Sequence, residues 1–200
     1  MYPILLDLSQ LPVLVIGNGR EAARRIALLD EANPQDLRIF ADAPTPELSA
    51  AAGARLILRL PTQDDIPARS ILFVGDYSDA QSGQIVALAR ARGALVNVED
   101  KGQFCDFHST STIRRGDLLV TVSTGGRSPG LAAHLRRYLE KMIGPEWSER
   151  LTRMAAERTR WRDAGTPHDD LKRLTAELIE REGWLPNPAA KTDHTDSSPV

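Results

Sequence analysis

A doubly wound parallel α/β sheet is predicted for the first half of the chain by three observations. Short aliphatic and β-branched runs at 13–16, 37–40, 70–74 and 94–98 alternate with segments of helical periodicity. The first run stops at Gly17-Asn18-Gly19, and a helical pattern begins within a few residues. Glycines and acids cluster where these runs end, at Gly17, Asp42, Gly75 to Asp79 and Asp100, and such sheets gather ligands beyond the carboxyl ends of their strands.

Residues 13–16, Val-Leu-Val-Ile, are apolar throughout, as a strand covered on both faces must be. Residues 21–30 put Ala22, Ile26 and Leu29 at helical spacing, and Asn33-Pro34 ends the pattern. A second strand follows at 37–40. Thr45-Pro46-Glu47 opens a short helix, because a hydroxyl caps the first turn and proline there needs no amide donor. Residues 55–59 alternate as a third strand, and 70–74 form a fourth. A helix with Ile85, Leu88 and Ala89 on one face runs to Arg92 and is closed by Gly93; residues 94–98 are the fifth strand.

At Phe107 the rhythm changes. Residues 110–115 and 118–123 read as two strands joined at Gly116-Asp117, and a domain boundary is expected near Thr110. Ser128-Pro129 starts a helix whose stripe of Leu131, Leu135, Tyr138, Leu139 and Met142 is expected to be buried. Arg136, Arg137, Glu140 and Lys141 then form its exposed face. Gly144-Pro145 stops it, and helices at 146–162 and 169–181 follow, with Trp147, Trp161 and Trp184 as packing anchors. The end, 186–200, is polar and aperiodic and is expected to be a disordered tail.

A chain of 200 residues with 42% hydrophobic residues can bury one full core and a smaller second one. The 25 basic and 27 acidic residues leave a net charge of −2, which gives no overall reason to expect nucleic acid or an anionic membrane as partner. No apolar run is long enough to span a bilayer and the first residues lack signal-peptide blocks, so the expected compartment is the cytoplasm. The single cysteine, Cys105, excludes an intrachain disulfide and a cysteine-based zinc site, and a small packing residue is its simplest reading. No metal-ligand spacing links His134, His168 and His194, and no resident metal is expected.

The glycine loop carries the first chemical reading. Gly17 allows a sharp turn, Gly19 allows a pyrophosphate to approach the main chain, and Ala22 stands where a third glycine would permit close packing of helix on strand. The loop and first turn, Gly17, Asn18, Gly19, Arg20 and Glu21, would then face the phosphates. Asp42 follows Gly19 by 23 positions, where such folds put an acid on the ribose hydroxyls, favouring NAD over NADP; equally, Asp42 with Ala43 can simply begin the turn Asp42-Ala43-Pro44.

Several motifs together resemble a known family. They are Tyr2-Pro3-Ile4 with Leu6-Asp7-Leu8, Val15-Ile16-Gly17-Asn18-Gly19, Leu95-Val96-Asn97-Val98-Glu99-Asp100, Cys105-Asp106-Phe107, Arg114-Arg115-Gly116-Asp117-Leu118, and Ser123-Thr124-Gly125-Gly126-Arg127-Ser128-Pro129. In order and spacing, over roughly residues 1–160, they are similar to the precorrin-2 dehydrogenase and sirohydrochlorin ferrochelatase module of siroheme synthases. The resemblance implies a Rossmann-type domain over 1–110, a small α+β dimerisation and tetrapyrrole-site segment over 111–145 and a helical part over 146–185. It implies NAD-dependent removal of two electrons from precorrin-2 to give sirohydrochlorin, ferrous iron as a further substrate in members that make siroheme, and a homodimer that exchanges the segment after residue 110.

By position in the motif, Asp100 resembles the family's aspartate, the general base of dehydrogenation and of chelation; taken without the resemblance, it reads rather as a cap of the loop Asp100-Lys101-Gly102. Asp79 is a candidate nicotinamide-side contact. Thr124 stands where the motif has a serine that some members phosphorylate, beside the tetrapyrrole site, and Gly125 and Gly126 leave room for a flat ligand. Arg114, Arg115 and Arg127 are candidate anchors for substrate carboxylates, Arg127 foremost because it lies in the loop.

Two stretches depart from the family pattern. Tyr77-Ser78-Asp79 replaces a threonine and paired aspartates, which puts the nicotinamide contacts in question. His108-Ser109-Thr110-Ser111 replaces an apolar run, and His108 could be a proton carrier, a transient iron ligand or neither. Two other functions therefore stay open: a non-catalytic NAD or tetrapyrrole sensor, and a chelatase without dehydrogenation.

Overall fold

The computed structural model describes residues 1–186 and divides into two compact units, Met1–Ser109 and the chain from Thr110 onward. The tail read as disordered, and His194 within it, lie outside the described residues apart from Pro186.

The first unit is the expected doubly wound sheet. Strands β1 (Val13–Ile16), β2 (Leu37–Phe40), β3 (Leu56–Ile57), β4 (Ile71–Val74) and β5 (Leu95–Val98) run parallel in the spatial order β3-β2-β1-β4-β5. Helices α1 (Arg20–Asp30), α2 (Pro46–Ala52) and α3 (Asp79–Ala91) connect them. Because strand side chains alternate, β1 feeds two cores. Val13 and Val15 pack with Ala22, Ile26, Leu29, Leu48 and Phe73. Leu14 and Ile16 pack with Phe40, Leu72, Val74, Ile85, Val86 and Val98 on the other face.

Local chemistry sets the helix starts. Thr45 caps α2 by accepting from Leu48 N–H ahead of Pro46, and Ser78 with Gln81 forms a reciprocal capping box on α3. The third strand is shorter than the alternation at 55–59 suggests. A 3₁₀ turn over Gly53–Arg55 precedes it, and Arg59 N–H bonds back to Ile57 O at 2.9 Å, which ends pairing at once.

The second unit begins with an antiparallel hairpin of β6 (Ser111–Arg115) and β7 (Leu118–Val122), followed by α4 (Pro129–Met142), α5 (Trp147–Asp163) and α6 (His168–Arg181). Ser128 caps α4 by accepting from Leu131 N–H, with Pro129 at its first position. The stripe expected to be buried is open here: Leu131, Leu135, Tyr138 and Met142 are 42–63% exposed. Periodicity identifies the apolar face of a helix but not what covers it, and a single chain leaves this one bare. The buried apolar side chains of this unit, among the described residues, are only Ile113, Ala132, Leu171 and Leu178.

No helix of the described residues is long and apolar enough to cross a membrane.

Candidate functional site

The carboxyl edge of the first unit's sheet gathers its polar side chains. Gly17 sits where β1 turns into α1, and a Cβ there would lie 2.6 Å from Ala22 Cβ and 3.0 Å from Gly75 O, so helix, loop and β4 meet too closely for any side chain. Asn18 knits this loop to the end of β2. Its Nδ2 donates to Asp42 Oδ1 at 2.7 Å, its Oδ1 accepts from Ala43 N–H at 3.0 Å, and its carbonyl accepts from Thr45 N–H at 2.7 Å.

Asp42 is thereby fixed as more than the first residue of a turn. The Tyr77 hydroxyl also donates to Asp42 Oδ1, at 2.9 Å, so both side-chain bonds fall on one oxygen and Oδ2 stays open among the described residues. The bonds from Asn18 and then Tyr77 hold the Asp42 carboxyl below the usual carboxylate range. Burial, reinforced by the hydrogen bond to Asp42, pushes the Tyr77 phenol well above its ordinary value, so it stays a donor. Tyr77, the first residue of the stretch that departs from the family pattern, buries its ring in the Leu14 core and directs its hydroxyl to Asp42.

Asp76 was not singled out by sequence reasoning, yet it lies under the glycine loop. Its carboxylate accepts from Gly19 N–H at 2.8 Å, Ala22 N–H at 3.2 Å and Glu21 N–H at 3.3 Å. Only the position after a buried strand could have hinted at this, since the partners lie 54 to 57 residues away. Lys101 is a second residue missed. Its Nζ donates to Tyr77 O at 2.6 Å and pairs with Asp79 Oδ1 at 2.8 Å, tying the β5 end to the β4 end.

Asp100 stands on a tight turn over residues 98–101, closed by Lys101 N–H to Val98 O at 3.2 Å. Its φ of +56° lies in the left-handed region that aspartate tolerates better than most residues. The turn is clamped from behind. Cys105 Sγ accepts from Val98 N–H at 3.2 Å, Asp106 Oδ2 accepts from Val96 N–H at 3.0 Å, and Asn97 Nδ2 donates to Phe107 O at 2.9 Å. Cys105 is therefore a polar clasp as well as a packing residue. The Asp100 carboxylate itself is exposed and makes no hydrogen bond or ion pair among the described residues.

Beside it, a small niche is lined by Glu21, Arg25, Phe73, Asn97 and Glu99 among others. Arg25 spans this niche, donating to Glu99 at 2.8 Å and Ser109 at 2.8 Å while its guanidinium lies 4.7 Å from the Phe73 ring centre. The niche has room for about one water molecule, so a large planar ligand would have to lie over an open surface.

In the second unit, the Thr124 hydroxyl accepts from Ser128 N–H at 3.2 Å and donates to Ser128 O at 3.0 Å, closing the loop before α4. Gly125 and Gly126 have φ of +64° and +79°, which explains both glycines. Arg115 turns inward, donating to Ile143 O at 3.0 Å, whereas Arg114 and Arg127 are exposed. Among the described residues no three His, Cys, Asp or Glu side chains converge as a metal site would require.

A family model described as putative NAD(P)-binding matches residues 4–111. The chain belongs to that family. Immediately after it, a model described as sirohaem biosynthesis protein central matches residues 115–142, so the family's nucleotide-binding part is followed here by a siroheme segment. The resemblance read from the sequence motifs is thus borne out. Among curated proteins, the siroheme synthase of Neisseria meningitidis serogroup C is 35% identical over 82% of this chain and 34% of its own length. Siroheme synthase 1 of Klebsiella pneumoniae is 32% identical over 91% of this chain and 37% of its own. The siroheme synthase of Methylococcus capsulatus is 36% identical over 78% and 33%. The chain spans about a third of the length of these relatives. Its fold is that of the solved structure of SirC, precorrin-2 dehydrogenase, with a TM-score of 0.72 at 20% identity over 93% of each chain.

Proposed function

We propose that the protein oxidises precorrin-2 to sirohydrochlorin with NAD as the two-electron acceptor. The observation that carries this reading is one sheet edge bearing both a dinucleotide-type loop with its acid, Asp42, and an open carboxylate, Asp100, on a clamped turn. The names of the siroheme synthase relatives point to the same chemistry.

The residues present fit a dinucleotide with a free ribose. Gly17 and Gly19 keep the loop low, and the open Asp42 Oδ2 can accept from ribose hydroxyls while repelling a 2′-phosphate. When bound, the nicotinamide supplies a hydride acceptor. Asp100 takes the proton that leaves with the hydride, so that precorrin-2 loses two electrons and two hydrogens in all. Arg127 and Arg114 hold substrate carboxylates by charge-assisted bonds; Arg115, committed to Ile143 O, contributes packing instead.

An anaerobic assay tests the proposal. Precorrin-2 with NAD should give NADH and the sirohydrochlorin spectrum together, and folded protein that binds NAD yet turns nothing over would overturn it. The openness of Asp100 also supports iron insertion, in which Fe²⁺ displaces two pyrrole protons that a solvent-exposed carboxylate can take one at a time and pass to water; insertion into supplied sirohydrochlorin without NAD, faster than the spontaneous rate, is the expected result.

Tyr77→Phe should weaken NAD binding about 3- to 10-fold, the net worth of one ordinary hydrogen bond, with little change for NADP. Because Asp42 titrates below the ordinary range, its contact is present above that pKa and lost as pH falls through it. Removing the Tyr77 donor moves this loss to higher pH, which binding titrations across the acid range would read. An unchanged pH profile would exclude Tyr77 as a positioning residue.

We further propose a homodimer formed over the bare α4 stripe. Leu135→Asp should shift the mass in light scattering from dimer to monomer, and a monomeric wild type would remove the idea.

A further inference from the structure

The N-terminus of α1 is where the phosphates of a dinucleotide would lie, and it already holds an anion. Helix α1 begins at Arg20, so its first-turn donors are the N–H groups of Arg20, Glu21 and Ala22. Asp76 takes those of Glu21 and Ala22 and adds the loop's Gly19 N–H, leaving the Arg20 N–H without a partner among the described residues. A Cβ on Gly17 or Gly19 would stand 3.0 or 3.1 Å from the same carboxylate, so it fills the floor of the loop. Asp76 reaches this place through a φ of +65°, a left-handed backbone held by its surroundings. No cation pairs with it among the described residues; the helix dipole and three N–H groups are what balance its charge.

We propose that Asp76 is an internal anion that competes with dinucleotide phosphates for the α1 N-terminus and sets a low affinity for the cofactor. This deepens the NAD reading and rests on it. Two anions cannot share three N–H groups, and at a separation of a few ångströms, well inside a Debye length, dissolved salt does little to screen their repulsion. Cofactor binding then requires the carboxylate to leave the cradle, and each ligand that lacks phosphate escapes the penalty. Asp76 is thus a specificity-determining residue acting against the phosphate part of the ligand, while Asp42 acts for the ribose.

The test compares wild type with Asp76→Asn, which keeps the side chain's size and one acceptor but removes the charge, and with Asp76→Thr, which shortens it. Calorimetric titration with NAD and with ADP should show tightening of about tenfold or more in the variants. Binding of adenosine, followed by chemical-shift titration, should stay unchanged, because it brings no phosphate to the cradle. Thermal unfolding of each variant identifies any that fails to fold, and the other then carries the comparison. Equal or weaker NAD binding in a folded variant would overturn the proposal, as would tightening that extends equally to adenosine. Folded wild type and variants that all ignore NAD, ADP and adenosine would instead overturn the dinucleotide reading itself.

Discussion

Asp100→Asn is expected to abolish precorrin-2 dehydrogenation while leaving NAD affinity within about twofold, with a rate loss on the order of 10²–10⁴ if the carboxylate is the general base. Asparagine is the informative substitution because the turn matters as much as the charge. Residue 100 has a left-handed backbone, and asparagine populates that region as readily as aspartate, whereas Asp100→Ala adds strain to the loss of the base. The clamp behind the turn, from Cys105, Asp106 and Asn97, does not use the Asp100 side chain, so the turn should survive the change. Single-turnover spectra with both substrates bound would report the chemical step. A near-normal rate for Asp100→Asn would exclude the residue as base and move attention to its neighbour Glu99.

The second large effect is expected at Gly17. Gly17→Ala would force a methyl to 2.6 Å from Ala22 Cβ and 3.0 Å from Gly75 O. Neither neighbour is the end of a flexible chain, so α1 must move off the sheet, at a cost of about 1–3 kcal/mol. For a unit of about 100 residues that corresponds to a melting temperature lower by roughly 4–8 °C per kcal/mol. The same shift carries the α1 N-terminus away from the Gly17-Asn18-Gly19 loop and breaks up the phosphate-side surface, so dinucleotide binding should be lost as well. Combining it with Ala22→Gly relieves the closer contact and should restore part of the stability, giving a measurable coupling between the two sites. Purely additive melting temperatures would show that Gly17 acts through something other than its contact with Ala22.

Much of this architecture is written in local patterns. The four-residue apolar strands, the Thr45 and Ser128 caps before proline, and the hairpin at Gly116-Asp117 are each decided by residues within a turn of one another, and each appears where expected. Asp42 was open between turn and ribose acid because its supports, Asn18 and Tyr77, lie 24 and 35 residues away. Asp76 and Lys101 were illegible for the same reason: their partners come together only when the sheet's strand ends are side by side. The α4 stripe shows the opposite limit. Its helical period is plain in the sequence, yet burial depends on a surface that the sequence of one chain does not reveal.

That stripe has a thermodynamic consequence. A unit with four buried apolar side chains among the described residues and an open apolar helix face has little cohesion of its own, and pairing of two copies would add the missing burial. Its folding equilibrium then contains the protein concentration as a variable, so dilution acts on it as a mild denaturant does. The melting temperature of the second unit should rise with protein concentration, while that of the self-contained sheet should not.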